Sequence, residues 1–340
     1  MAHEININKD GSASFASVET SADKKAWHGL GQTIVKEAGK FATRQEILAA
    51  SLTNFEVESV PVFHNVDGEM VAIEGKSAIR RSDTKQTFGV LGDGYEVIQN
   101  EEVAEFAEII IGEAGAFFDT GGALFGGSKV FYSLMLPETI LGSENIGKRM
   151  IVSSSHDGTG SVLNLMSLIR PVCNNTLSCA IRGSKDKVSI RHTKNWKNKV
   201  EEVRRVLKIA NNHFTAIEEA FDKLRSEKVS DSYSQAFINT LFPATSSKGD
   251  NKIPKQTMDR REKVQELFLR GKGNEGKTKW DLFNGTTEYI DHHSSGRVTA
   301  KAMNKAEEGA DIEAQQRFFR INWGNGSVLR QNAFDLLSLN

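Results

Sequence analysis

The spacing of apolar and polar positions divides the chain in two. Up to about residue 170 the dominant period is two. Phe55-Glu56-Val57-Glu58, Val60-Pro61-Val62 and Val71-Ala72-Ile73 alternate, with Asp67-Gly68 between the last two as a hairpin turn signal. Thr87–Leu91 and Tyr95–Ile98 predict a second strand pair, joined through Gly92-Asp93-Gly94. Lys129–Leu136 predicts a strand ending at Pro137. Met150–Ser154 and Val162–Arg170 predict two more, around a His156–Gly160 loop. Short helices are expected over 42–52 and over 100–112, the latter with Asn100 as N-cap and Glu101 and Glu102 in its first turn.

After Pro171 the period lengthens. Residues 172–182 suit a buried helix. The clearest helix is expected over 195–228, where Val203, Leu207, Ala210, Phe214, Ile217, Phe221 and Leu224 step alternately by four and three. Such a stripe either docks within its own chain or pairs with another helix. A helix over 231–242 and a mostly helical region over 257–340 follow. Strands first and helices second predict an α+β fold, an antiparallel sheet of hairpins with packed helices and a helical C-terminal region. The expected organisation is a polar arm over 1–25, an α+β core over 26–243, a linker over 244–256 (ATSSKGDNKIPKQ) and a helical region over 257–340.

Composition changes this picture little. A chain of 340 residues with 39% hydrophobic and 26% charged positions is an ordinary globular chain of about two domains, or of one large domain with an appendage. No run approaches the ~18 apolar residues of a membrane span. The first residues lack the basic and apolar regions of a signal peptide, so a cytoplasmic location with no membrane partner is expected. Two cysteines, Cys173 and Cys179, fit a reducing compartment.

Charge is more informative. The formal net charge of −1 conceals an excess of acids in residues 1–150 and of bases in the remainder. The densest basic stretch is 182–208, in which Arg182, Lys185, Lys187, Arg191, His192 and Lys194 precede Trp196. Cations that follow phosphates and a ring that stacks a base suit single-stranded nucleic acid. The plainer reading is a solvated face with Trp196 stapling the long helix. Arg80, Arg81, Lys129 and Arg170, on or beside predicted strands, would extend a nucleic-acid path.

Other constellations fall short. Gly121–Lys129 is glycine-rich, but Ser128 precedes Lys129 and a strand follows, unlike a phosphate loop. A tight or flexible connection is expected there. Cys173 with His192 could form a nucleophile and base, although buried free cysteines usually just pack. Asp291, His292 and His293, with His156 or His64, could ligate a metal, but adjacent helical histidines diverge. No cofactor is expected.

Four motifs carry a resemblance: Trp27-His28-Gly29-Leu30-Gly31, Gly94–Asn100, Cys173-Asn174-Asn175-Thr176-Leu177 and Arg191-His192-Thr193. With Trp280–Asn284 and Thr287–His292 they resemble the phage/plasmid-like protein family, a domain of unknown function from bacteriophages, prophages and plasmids. The element order is also similar to phage single-strand annealing proteins. That resemblance implies an oligomeric protein that binds and anneals single-stranded DNA in recombination or replication, without covalent catalysis. Phosphates would meet Arg170, Arg182, Lys185, Lys187, Arg191 and Lys194, and Trp196 or Tyr95 would stack bases. Asn174 and Asn175 would hold local backbone. Two alternatives stand beside it: an accessory or counter-defence factor that binds host or phage proteins and exposes the 203–224 stripe, and a metal-dependent nuclease or hydrolase using Asp291 and His292.

Overall fold

A computed structural model describes residues 15–19, 32–37, 40–141, 144–160, 162–170, 175–176, 187–190, 198–244, 253–294 and 312–338. The strands are β1 (Phe15–Glu19), β2 (Gln32–Val35), β3 (Val57–Val66), β4 (Glu69–Arg81), β5 (Thr87–Gly92), β6 (Phe117–Leu124), β7 (Lys129–Leu141), β8 (Glu144–Ser155), β9 (Val162–Arg170), β10 (Asn175–Thr176) and β11 (Lys187–Ile190). The helices are α1 (Arg44–Ala50), α2 (Asn100–Ala114), α3 (Lys199–Ser226), α4 (Asp231–Leu241), α5 (Lys255–Arg270), α6 (Lys279–Glu288), α7 (Ile312–Trp323) and α8 (Asn325–Ser338), with a π-helical turn, Tyr289–His293, directly after α6.

The expected α+β class is what forms. The larger sheet runs β10-β9-β8-β7-β6-β1-β2, with β11 also on β9; its ladders are antiparallel except β1 with β2. A smaller sheet, β3-β4-β5, is antiparallel throughout. Alternation on β7 explains the layering. Tyr132, Leu134 and Leu136 face α2 and α3, where Val103, Phe106, Ile110, Val203 and Phe214 are buried. Phe131 faces the other way, into a cluster with Phe15, Leu124 and Ile151 that Phe319 and Trp323 of α7 cover.

The stripe on α3 docks within its own chain. Ala210, Phe214 and Ile217 are buried, and Phe221 and Leu224 continue into a helical layer with Trp280, Phe283 and Phe334. The accessory-factor alternative therefore loses the exposed stripe that it expected. One apolar cluster runs from the sheet into the C-terminal helices, so the 244–256 boundary does not divide the core. Residues 245–252 lie outside the described ones.

Several local expectations are corrected. Within the expected polar arm, Phe15–Glu19 is a strand on β6; its Phe15, Ala16 and Val18 are buried, a short apolar signal that the surrounding polar residues masked. The glycines of 117–127 belong to no flexible loop. Strand β6 crosses the sheet there, and a Cβ at Gly121 would lie 2.8 Å from Ile47 Cγ1 on one face, while one at Gly122 would lie 2.6 Å from the Phe131 ring on the other. The tight connection is confined to a 3-10 turn over Phe125–Gly127. Strand β7 passes Pro137 because the register shifts between Leu136 and Thr139, a bulge that tolerates a missing N–H.

Tyr95–Ile98 forms no strand. The Gln99 side-chain amide instead bonds the Val57 N–H and C=O at 3.0 and 2.9 Å, replacing a ladder rung. The cap of α2 is Gln99, whose N–H donates to Glu102 at 2.9 Å. Asn100 sits inside the helix start, donates to the Phe55 carbonyl at 3.1 Å and meets His156 Nε2 at 2.8 Å. Of the helix expected over 172–182, the two described residues, Asn175 and Thr176, are extended and pair with β9.

Candidate functional site

The cations expected on strands are mostly engaged. Arg80 pairs with Glu58 at 2.7 Å. Arg81 is buried, grips Asp83 through Nε and Nη2 at 3.0 and 2.8 Å, and lies 4.0 Å above the Phe55 ring. It also donates to the Gly126 carbonyl at 3.2 Å, which ties the two sheets together. Lys129 Nζ stands 5.3 Å from the Trp323 ring centroid, and burial pushes its pKa down. Tyr95 donates to the Ser155 carbonyl at 3.1 Å and packs at the junction of the sheets, so its ring is a structural contact rather than a stacking platform.

Backbone positions are described for Arg170, at the end of β9, and for Lys187, at the start of β11. Their side chains, and Arg182, Lys185, Arg191, His192, Lys194 and Trp196, lie outside the described residues, as do Cys173, Cys179 and Trp27–Gly31. His64 is exposed on β3, and His156 is buried against Asn100 and Phe88, remote in role from Asp291. Asp291 pairs with Arg330 at 2.9 Å, both side chains being sealed from solvent. Among the described residues no three His, Cys, Asp or Glu side chains group as a metal site.

The structure brings together a different set of cations. A cleft of about 500 Å³ opens between α5, the π-helical turn and the α7–α8 junction. Helix α5 contributes Gln256, Arg260 and Lys263, which its periodicity places on one face. The π-helical turn contributes Tyr289 and His293. Helix α7 contributes Arg320, and Asn325 opens α8, where the helix dipole adds positive potential. Phe242 and Leu329 supply apolar wall, and Asp259 is the carboxylate of the lining.

Each wall is fixed from behind. Arg261, next to Arg260, turns away and donates to the Phe242 carbonyl at 2.9 and 2.6 Å, which holds the end of α4 against α5. Phe242 then meets Tyr289 edge to face at 5.7 Å. Arg320 donates through Nη2 to the Ile290 carbonyl at 2.8 Å and to the Ser294 hydroxyl, capping the π-helical turn. Its Nε is buried with no hydrogen-bond partner among the described residues.

Electrostatics follow from this crowding. Burial pushes the Arg320 pKa down, opposed by the Asp291 charge. Burial also pushes Tyr289 up, against the pull of Arg260 and Arg320. His293 is pushed below its ordinary value by burial and by its neighbours Lys263, His292 and Arg317, with Glu266 opposing. Burial and the neighbouring cations thus favour the uncharged imidazole, and the lining sets Arg260, Lys263 and Arg320 against Asp259, with Lys263 also paired to Glu266 at 3.0 Å.

Of this lining, the sequence alone singles out His293, as a candidate ligand, and Tyr289, within the Thr287–His292 motif. The missed signal is Gln256, Arg260 and Lys263 at spacings of four and three on one helix, while Arg320 and Tyr289 come from segments that no local pattern links to it. Such a lining offers anion recognition with an aromatic edge. Among the described residues the lining carries a single carboxylate, Asp259, and the Ser294 hydroxyl after His293 is engaged with the Ile290 carbonyl and the Arg320 guanidinium. Comparison with curated proteins and with solved structures finds no match to the chain. The model of one family, the domain of unknown function DUF932, matches residues 87–314, more than half of the sequence, and the chain belongs to that family.

Proposed function

We propose that the chain binds single-stranded nucleic acid without covalent chemistry, as a recombination or replication protein of a phage or plasmid, and that the cleft seats part of the phosphate backbone. The observation that carries this reading is the convergence of Arg260, Lys263 and Arg320, from two separate helices, on one cleft with Tyr289 at its edge. Guanidinium forks suit phosphate oxygens, and an aromatic edge suits a base. A cleft of about 500 Å³ is in the size range of sites that take a small ligand, enough for a nucleotide unit. The basic stretch 182–208 would extend the strand path, and annealing would follow where bases stay exposed for pairing.

The metal-dependent alternative is less well supported, because Asp291, its central residue, is already committed to Arg330. The test is fluorescence anisotropy of a labelled single strand of ~40 nucleotides. Three phosphate contacts predict a slope of log affinity on log salt near −2, or about 20-fold weaker binding at 200 mM than at 50 mM salt. Arg260→Glu with Lys263→Glu should remove most of the affinity. Absence of binding at 50 mM salt, or a double variant that binds like the parent, overturns the proposal.

A further inference from the structure

Strands β3 and β4 run past the end of β5 as a bare two-stranded ribbon. Every residue from Phe63 to Lys76 is exposed. The register pairs Phe63 with Ala72 and Asn65 with Met70, so Phe63 and Met70 share one face. His64 pairs with Val71 and Val66 with Glu69, so Val66, Val71 and, two residues on, Ile73 share the other. These five apolar side chains are 38–65% exposed. An edge ribbon that stays in water is usually protected by lysine, proline or a covering element, and a lone hairpin is marginally stable. Here both faces are apolar and nothing among the described residues covers them.

The charge of the ribbon points to its occupant. Val57–Glu74 contains Glu58, Asp67, Glu69 and Glu74 but no lysine or arginine. Glu58 is neutralised by Arg80 and Lys85 at the base, which leaves the acids of the projecting part exposed. The complementary charge lies in the other half of the same sequence. Residues 151–340 hold 30 Lys and Arg against 22 Asp and Glu, whereas residues 1–150 hold 13 against 22.

We infer that this ribbon is an arm that docks on the basic C-terminal half of a second copy of the chain. Having both faces apolar suits insertion between elements of the neighbour rather than flat apposition. Arm and receiving surface lie on different halves, so two copies that exchange arms reciprocally close as a two-fold dimer, whereas a one-way contact extends to a ring or filament; the mass in solution distinguishes the two.

The test is size-exclusion chromatography with light scattering on the full chain, without nucleic acid, over the micromolar range. The parent should exceed the 37.5 kDa of one chain. Met70→Ser with Val71→Ser, at exposed positions that leave the circular dichroism unchanged, should elute as a single chain. Asp67→Lys with Glu69→Lys should weaken assembly about tenfold. A parent that stays at the mass of one chain, or serine variants that assemble like the parent, overturns the inference. Oligonucleotide binding by the serine variants, which keep the cleft intact, separates failure here from failure of the binding proposal.

Discussion

Replacing Arg330 with methionine should be among the most damaging single changes in the molecule. Its guanidinium meets the Asp291 carboxylate at 2.9 Å, and the side chains are 0% and 1% exposed. At an effective dielectric near 20, two unit charges at that distance attract by about 6 kcal/mol. Desolvation offsets much of this, so the pair adds little over a well-packed apolar pair. Removing one partner strands the other, which costs about 3–5 kcal/mol. Arg149 also feels the Asp291 charge and tempers the loss, so about 3 kcal/mol is the expected figure. Urea denaturation followed by circular dichroism should then show a midpoint about 1 M lower. Asp291→Leu with Arg330→Met should recover most of the difference, since neither charge is left behind. A single variant within about 0.5 kcal/mol of the parent, or a double variant as unstable as the single, would refute the reasoning.

Further outcomes follow from packing and titration. Gly285→Ala should destabilise by about 2–3 kcal/mol, because its Cβ would lie 2.6 Å from the Phe268 backbone nitrogen and force α5 and α6 apart. Gly112→Ala, in α2 with nothing within 4 Å of the new Cβ, should instead stabilise by up to about 1 kcal/mol; thermal melts of the two variants check both signs. Strand binding should strengthen severalfold as pH falls from about 7.5 to 5.5, because His293, held neutral by burial and nearby cations, gains a proton beside a bound phosphate. Anisotropy titrations of His293→Asn should lack that rise. The same depressed pKa means the unfolded chain takes up the proton first, so stability without ligand should fall as pH drops through about 6.5 and on towards the folded value.

The sequence revealed patterned elements and concealed those set by distant partners. The hairpin turn at Asp67-Gly68, strand β9 and the stripe on α3 were legible because each carries its own periodicity. Tyr95–Ile98 has the alternation of a strand, yet its backbone partner is a glutamine side chain, which no period reports. The glycines of β6 read as slack because their meaning lies in Ile47, Phe15 and Phe131 pressing from both faces. The candidate site shows the same division. Charge density pointed to 182–208, whereas the cleft is assembled from α5, the π-helical turn and the α7–α8 junction, over 70 residues of sequence.

That assembly also explains why buried charge lies next to the cleft. A π-helical turn has weaker hydrogen-bond geometry than an α-helix and persists where other interactions offset its cost. Here Asp291, at the centre of the turn, is held by Arg330 from α8, while Arg320 of α7 caps its last carbonyls. Both arginines approach from the C-terminal helices, so the turn is fixed only once those helices have docked. Tyr289 and His293, two residues to either side of Asp291, are positioned by the same contacts. Recognition of an anion at Arg320, on the proposed function, would therefore be coupled to the stability of the turn. A phosphate that draws on the Arg320 guanidinium competes with its caps on Ile290 and Ser294, and Arg330 must hold the turn while it does so. One arginine can serve both the turn and a ligand because the neighbouring ion pair keeps the turn in place.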